Sequence, residues 1–556
     1  MLADSQASPR PLRLVLLAGM CACVSLGFAS ARLRGLLLNS LWLSVGAVAI
    51  AVPLGTLLAL AITKTTLPGR KSLQWMLLAW LFVPLFVQAA AWQAALGQGG
   101  WLIPPGNLYD QGVLLSGWTA AVWVHGLAGV PWVALLVAAA LLTIPREAEE
   151  DALLDAPPWK VLLAVSVPRA KAGILTGALW VAVVCLGEIT VTDLFQVRTF
   201  AEEVYTSASV GSLSGPIVPL VDDAGQVDFA TSDLVWGTVI AVCLVLILLA
   251  AIVNWLPSAH FFSLDESWRW QLDRATIPLA VVTWLAMTNL IGVPLVSLVG
   301  KAGTQATRTE AGVVREWSPT KAATLIARSP WEHRREMSWS LAIGAIAATL
   351  ATVFGVLIAW ALRTGWLPLS FTAILLATMF ALPGPLIGVW LIRLLNHSAD
   401  SPWAWLNSWY DDTILAPILA QWMRTLPLAT LLIWSQFASI SQQVLDSATS
   451  EGANWWRQLV QIAIPLRASV ILAAFGLSLI VAVGELAATI LVLPPGVSTL
   501  SVRIFGLVHY GADDQVSAIC LALALITGIG TIAVAWLLGR LNPAGQPYAS
   551  QHDRLE

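Results

Sequence analysis

Repeated apolar runs, each long enough to cross a bilayer as a helix, constrain this chain more than any other feature. A helix rises about 1.5 Å per residue and the hydrocarbon core is about 30 Å thick, so about 20 apolar residues suffice. The runs are continuously apolar rather than alternating, which favours helices over a barrel. We therefore predict an all-α polytopic membrane protein. The predicted spans lie near residues 13–31, 40–63, 74–95, 114–143, 172–195, 234–254, 277–299, 338–362, 370–395, 413–437, 468–493 and 515–538.

Lysine and arginine are concentrated in the loops on one side of these twelve spans, which places both termini in the cytoplasm. The first apolar run is followed by Ala29-Ser30-Ala31, a pattern that signal peptidase could cleave. The even number of spans favours an uncleaved first span instead. The net charge of −3 provides no basic field for nucleic acid, so we expect no nucleic-acid partner.

The chain contains an internal repeat, which indicates a duplication. The segment that ends at Pro168 aligns without gaps to one that ends at Pro465, 297 residues later. The same register continues into the next span, where Glu188 falls on Glu485. Because each copy holds six spans, and six is even, both copies cross the membrane in the same direction and are related by an axis along its normal.

The repeat predicts the domain organisation. We expect a first six-helix half over residues 1–256, a cytoplasmic connector over residues 257–276, a second six-helix half over residues 277–540 and a cytoplasmic tail over residues 541–556. A central pathway between the two halves follows from this arrangement.

Two polar segments interrupt the apolar pattern at equivalent places, between the fourth and fifth spans of each half. Both would lie on the cytoplasmic side. In each, apolar residues recur at helical spacing, which predicts a short amphipathic helix. Its apolar residues are Trp159, Leu162 and Leu163 in the first copy and Trp456, Leu459, Val460 and Ala463 in the second, where Trp456 and Leu459 would form the buried face. Such an element, present twice on one face, indicates a docking surface for a two-fold partner; the alternative is a solvated linker.

The second polar segment resembles the signature loop of binding-protein-dependent ABC importer permeases. That loop reads E-A-A, three residues, G, nine residues, I-x-L-P, and Asp446-Ser447-Ala448, Gly452 and Pro465 occupy it at the same spacing. In the first half, Glu149-Glu150-Asp151 and Pro168 fit, and the glycine position holds Asp155. A one-residue deletion would place Ala156 there instead.

The resemblance covers almost the whole chain, and the fused halves look most like ferric-iron importer permeases. It implies a type I ABC importer permease fold in the bacterial inner membrane. Its implied partners are a cytoplasmic ATPase dimer, a periplasmic solute-binding protein and membrane lipid, with ATP and Mg²⁺ held by the ATPase and no cofactor or metal on this chain. The coupling loops that contact the ATPase would include Glu149, Glu150, Asp151, Asp155, Trp159, Pro168, Asp446, Ser447, Ala448, Gly452, Trp456, Leu459 and Pro465.

The chain lacks the sequence G-x-x-x-x-G-K-[ST], so we expect ATP hydrolysis on another polypeptide and no enzyme activity here. Glu188 and Glu485 lie in equivalent apolar runs, where an ionised carboxylate is costly. They would either line the translocation pathway or cap neighbouring helices. The alternatives for function are a thiamine or other small-solute permease, a proton-coupled transporter of six plus six helices, and a polytopic membrane enzyme.

Overall fold

The computed structural model describes residues 21, 24–25, 30–97, 100–103, 115–210, 233–243, 269–271, 276–309 and 312–540. Most of the predicted first span near 13–31, most of the sixth span, most of the connector and the whole tail lie outside these ranges. The helices of the first half are α1 (Ala31–Thr63), α2 (Arg70–Leu81), α3 (Leu85–Leu96), α4 (Gly117–Leu142), α5 (Arg146–Asp155), α6 (Pro158–Arg169), α7 (Lys171–Gly187), α8 (Thr190–Leu194), α9 (Phe200–Ser209) and α10 (Asp233–Cys243).

The second half repeats this order after one additional module. Its elements are α11 (Thr276–Gly303), β1 (Thr304–Thr309), β2 (Gly312–Trp317), α12 (Pro319–Glu332), α13 (Arg334–Arg363), α14 (Leu369–Ala381), α15 (Gly384–Leu395), α16 (Leu406–Asp411), α17 (Leu415–Ala438), α18 (Gln442–Ser450), α19 (Trp455–Leu466), α20 (Ala468–Val483), α21 (Leu500–His509) and α22 (Asp513–Arg540). The antiparallel hairpin β1–β2 was not predicted.

Within the described ranges, six helices are long and apolar enough to cross a membrane, and ten spans result if each bent helix pair is counted once. These six are α1, α4, α11, α13, α17 and α22. They correspond to predicted spans, although α1 begins nine residues before the predicted start at 40. The prediction of an all-α polytopic membrane protein is confirmed.

Two predicted spans are wrong as continuous helices. The span near 74–95 bends by 106° between α2 and α3, and the span near 370–395 bends by 100° between α14 and α15. Each second helix begins directly after a proline, Pro84 or Pro383. Proline has no N–H to donate and its ring clashes with the preceding turn, so the helix ends and restarts in a new direction.

Two other predicted spans end earlier than expected. The helices in 172–195 and 468–493 end at Gly187 and Val483, so Glu188 and Glu485 lie just beyond them rather than inside a span. Hydrophobicity does not mark these ends clearly, because apolar residues such as Ile189, Val191 and Leu486 continue beyond them.

Equivalent contacts relate the two halves. The Ser40 hydroxyl accepts a hydrogen bond from the backbone N–H of Phe200 at 3.1 Å, and the Ser340 hydroxyl accepts one from Leu500 at 2.8 Å. Each serine therefore holds the start of α9 in the first half or of α21 in the second. The rings of Tyr205 and Phe505, also 300 positions apart, meet edge to face at 6.2 Å.

Candidate functional sites

The two polar segments form matched helix–turn–helix elements, α5–α6 and α18–α19. Arg146 donates to Glu150 in α5, and Gln442 donates to Asp446 in α18, four residues further along in each case. These pairs set the structural register, in which Glu150 corresponds to Asp446. The ungapped alignment, which paired Glu149 with Asp446, is therefore wrong by one residue at this point.

The turns of the two elements differ in conformation. Gly452 has a φ of 82° in the left-handed region, where a side chain would be strained. Ala156, the residue directly after α5, has an extended conformation with a φ of −144°. Asp155 is the last residue of its helix, so the predicted placement of Asp155 at the glycine position is wrong.

Both second helices contain one wide turn at the same place. A π-helical segment runs over Leu162–Ser166 in α6 and over Leu459–Ala463 in α19. Pro168 and Pro465 follow within two residues. Because these prolines cannot donate a backbone hydrogen bond, the turn before each one opens to relieve the conflict.

The amphipathic faces are only partly as predicted. Leu162 and Leu459 are buried, as expected. Trp456 is 58% exposed, so the prediction that it is buried is wrong, and Trp159 at the corresponding place is 50% exposed. Leu163 and Val460, one turn further along, are similarly exposed. These four side chains, which we call the apolar docking pairs, face away from the helices behind them because Leu162 and Leu459 already fill the packing side.

Glu149 was predicted to contact a partner, but it is fully buried within the chain. Its carboxylate accepts a hydrogen bond from the Lys64 ammonium at 2.7 Å and another from the Ser166 hydroxyl at 2.7 Å. Lys64 is equally buried at the end of α1. Burial lowers the pKa of Lys64, and the hydrogen bond and charge of Glu149 oppose that shift. This ion pair fastens the α5–α6 element to the first half.

The connector between the halves contacts the chain at Lys64, beside this ion pair. The backbone N–H of Trp270 donates to the Lys64 carbonyl at 2.8 Å, and the N–H of Thr66 donates to the Trp270 carbonyl at 3.1 Å. The loop after α1 therefore contacts both the buried ion pair and the described part of the link between the halves.

In the described residues, the second half fastens its element without a buried ion pair. Thr364, which ends α13 as Lys64 ends α1, accepts a hydrogen bond from the Trp455 indole at 3.0 Å. Leu445 and Ala463 occupy the places of Glu149 and Ser166, and both are buried. Tryptophan rings then replace the ion pair, since Trp455 packs beside Trp360 with ring centroids 6.3 Å apart.

We expect Glu149→Leu alone to destabilise the protein strongly, because it leaves the buried Lys64 ammonium without its carboxylate. Removing one partner of such a pair costs about 3–5 kcal/mol. The double variant Lys64→Thr, Glu149→Leu carries the residues of the second half and should recover most of that loss. Glu150→Leu, at an exposed position, is the matched control. Thermal unfolding of the purified full chain measures the effect; equal unfolding temperatures for the single and double variants would contradict it.

A second site lies between the halves, where Glu188 and Glu485 line one cavity of about 160 Å³. The Glu188 carboxylate accepts hydrogen bonds from the backbone N–H groups of Thr190 and Val191 at 2.8 and 2.9 Å. Glu485 accepts one from the N–H of Ala488 at 2.9 Å. Both carboxylates thus cap the chain that follows them, and both also face the space between the halves.

Arg424, on α17, connects this site to the broken span of its own half. Its guanidinium donates to the backbone carbonyls of Phe380 and Leu382 at 3.0 and 3.1 Å and lies 3.5 Å from the Glu485 carboxylate. Those carbonyls belong to the last turn of α14 and the break itself. In the first half, Gln88 has the corresponding role, because its amide donates to the Val83 carbonyl at 3.0 Å.

An adjoining cavity of about 230 Å³ also includes Arg424 and Glu485, and it reaches His125 on α4. Four aromatic rings line it in a row, which begins with Phe82 edge to face against Trp132 at 5.0 Å. The centroids of Trp132 and Trp180 are 4.2 Å apart, and those of Trp180 and Phe380 are 4.9 Å apart, so the row extends from the first half to the second. Sequence reasoning did not bring His125 and these rings to Glu188, because they lie far apart in the chain.

The face opposite the helix–turn–helix elements carries an ion pair between the halves. His509, at the end of α21, lies 2.9 Å from the Asp193 carboxylate, and its other ring nitrogen lies 2.8 Å from the Phe505 carbonyl. The hydrogen bond with Asp193 raises the pKa of His509 above its ordinary value, although burial opposes the shift.

Because the pKa of His509 is raised, its contact with Asp193 contributes fully below the ordinary pKa of about 6.5 and is lost as the pH rises through the raised value. We expect the unfolding temperature to fall over that window. His509→Gln should remove that part of the pH dependence, whereas His397→Gln, at a half-buried histidine whose ring contacts a backbone carbonyl, should keep it. Unfolding scans of the full chain from about pH 6 to pH 9 test this; an unchanged profile in His509→Gln would contradict it.

A polytopic helical chain with two matched helix–turn–helix elements and a cavity between its halves has the architecture expected of a transport permease. The chain belongs to the family described as "Binding-protein-dependent transport system inner membrane component", which residues 337–544 match. It is therefore a binding-protein-dependent ABC importer permease with the type I fold.

Curated relatives support this assignment. The chain is 31% identical over 189 residues to the "Putative 2-aminoethylphosphonate transport system permease protein PhnV" of Salmonella paratyphi A, covering 34% of this chain and 68% of the relative. The Salmonella typhimurium protein of that name matches equally well. The Salmonella typhi protein is 30% identical over the same length.

Proposed function

We propose that this chain is a two-half translocation unit of an importer, with halves at residues 1–256 and 277–540, a connector at 257–276 and a tail at 541–556. It works in the bacterial inner membrane with both termini in the cytoplasm. The observation that carries the proposal is the pair of helix–turn–helix elements with matched exposed docking pairs. One duplicated surface on one face suits a partner that is itself two-fold.

The partner is a cytoplasmic ATPase dimer. Trp159 and Trp456 are large, exposed and held on helices whose opposite sides are fixed, which is the character of an interface anchor. The chain has no phosphate-binding loop of its own, so ATP and Mg²⁺ are held by that partner. Movement of the docked elements passes to the halves through the Lys64–Glu149 pair on one side and the Trp455–Thr364 contact on the other.

The two halves then alternate between openings on either side of the membrane. Glu188 and Glu485 line the pathway, and a periplasmic binding protein delivers the solute at the face that carries His509. Each carboxylate also accepts hydrogen bonds from the backbone N–H groups that follow its span. A change in the relative position of the halves therefore alters the pathway and these hydrogen bonds together.

The solute that we favour is a small organic acid with an amino group, such as 2-aminoethylphosphonate. The relatives' name supports this class, and so does the cavity between the halves, because Arg424 and two carboxylates offer both signs of charge. Ferric iron is the competing solute, because the fused halves resemble those of ferric-iron importer permeases; thiamine is a third. A proton-coupled transporter would leave the duplicated docking elements without a role.

We expect truncation of both anchors, Trp159→Ala with Trp456→Ala, to release the ATPase. Loss of a central aromatic anchor costs about 2 kcal/mol or more, or about thirtyfold in affinity at each element. The control is Trp331→Ala, at a tryptophan of α12 that is 71% exposed and belongs to neither helix–turn–helix element. Co-purification of the ATPase with the membrane-embedded chain measures this. Full retention by the double variant would contradict docking at these elements.

Uptake distinguishes the solutes. A strain that lacks this chain should lose ATP-dependent accumulation of radiolabelled 2-aminoethylphosphonate and regain it when the gene is restored, with labelled ferric iron and thiamine measured in parallel. Loss of iron uptake alone would reverse our choice of solute and leave the permease assignment intact. Uptake that persists without any ATPase would favour the proton-coupled transporter.

A further inference from the structure

Two buried polar atoms between the halves lack a hydrogen-bond partner in the part of the chain that the structure describes. They are Nε2 of His125 and Nε1 of Trp180. His125 is 2% exposed, and both residues line the 230 Å³ cavity. A buried polar group without a partner costs about 1–3 kcal/mol, so an acceptor and a donor left open in one cavity indicate that something else satisfies them.

The hydrogen bonds of His125 define what its open atom can do. Nδ1 lies 2.8 Å from the Ala121 carbonyl, which only accepts, so Nδ1 carries the proton. In the neutral imidazole, Nε2 is then an acceptor. It lies 3.7 Å from a Glu188 carboxylate oxygen, which also accepts. Two acceptors do not bond to each other, but a single donor atom about 2.8 Å from each fits between them.

A primary ammonium group meets these requirements. It has three N–H donors and a positive charge, so it bonds to the His125 nitrogen and to the Glu188 carboxylate at once. The open Trp180 indole is a donor and suits the opposite kind of group, an anionic oxygen. Arg424, which lines the same cavity and would lie 4.0 Å from a side chain placed at Gly187, adds positive charge close to the first half.

We propose that His125 and Glu188 bind the primary ammonium group of a small organic zwitterion, while Trp180 and Arg424 bind its acidic end. This site belongs to the permease itself, and the proposal rests on the translocation role proposed above. Trp132 and Phe380 pack on either side of Trp180 and hold its indole in place.

The site is built only once, although the halves are duplicated. When Pro131 and Pro427, which lie inside α4 and α17, are superposed in sequence, His125 falls on Gln421 and Arg424 falls on Ala128. The acceptor and the cation thus come from different halves. A zwitterion is held in one orientation, and it bridges the halves that must separate for release.

The test uses the full chain in lipid nanodiscs and measures binding of radiolabelled 2-aminoethylphosphonate by scintillation proximity. Unlabelled ethylphosphonate, which has the same acid group and no amine, competes in a second series. We expect His125→Leu and Glu188→Gln each to weaken 2-aminoethylphosphonate by about 10- to 150-fold and to leave ethylphosphonate unchanged. His125→Gln keeps an acceptor near the Nε2 position and should retain most of the affinity.

Two further variants separate the ends of the site. Trp180→Phe removes the indole donor and should weaken both probes. Gln421→Leu, at the corresponding position of the second half, should change neither. If His125→Leu fails to fold, Glu188→Gln and the comparison of the two probes carry the test.

The proposal is overturned if both probes bind equally well, or if His125→Leu and Glu188→Gln bind like the natural chain, since a water molecule then fills the gap. It is also overturned if neither probe binds. The proposed function fails separately, because it depends on co-purification of the ATPase and on ATP-driven uptake. A chain that docks its ATPase and imports iron, yet binds neither probe, keeps the permease role and loses this site.

Discussion

Backbone groups inside a membrane protein need partners, because hydrocarbon offers none, and this requirement determines where the functional side chains lie. The helices of this chain break or end between the halves. At each of these places a side chain forms hydrogen bonds with the backbone groups that the helix leaves unpaired. Glu188 and Glu485 bind N–H groups after α7 and α20, while Gln88 and Arg424 bind carbonyls at the broken spans. The polar groups that face the cavity are thus the ones that make the breaks tolerable.

The duplication is followed closely in the backbone and loosely in the side chains. The serines that hold α9 and α21, the broken spans and the π turns recur in both halves. The attachment of the docking elements does not, since a buried ion pair serves one half and tryptophan rings serve the other. Both contacts link the residue that follows α1 or α13 to the helix–turn–helix element of the same half. Because they meet the same structural need, one could replace the other after the duplication.

The sequence predicted the fold class, most of the spans and the two helix–turn–helix elements, because apolar length and a repeated motif are local properties. It missed features that depend on partners far away in the chain. Glu149 and Lys64 are 85 residues apart, and nothing near either residue indicates that they meet in a buried pair. Trp456 was assigned to the wrong face because both faces of its helix are apolar. The breaks at Pro84 and Pro383 did carry a signal, a proline in mid-run.

The two halves present different side chains to the cavity between them, and this difference has a consequence for transport. A pathway with identical halves would offer a solute two equivalent orientations and would hold neither end by a distinct group. Here the first half contributes His125, Glu188 and Trp180, and the second contributes Arg424 and Glu485, so the charge pattern has a direction across the axis. A solute with two different ends gains from both walls only while the halves are close. Separation of the halves therefore weakens its hold, which is the property that a conduit needs if it is to release what it carries.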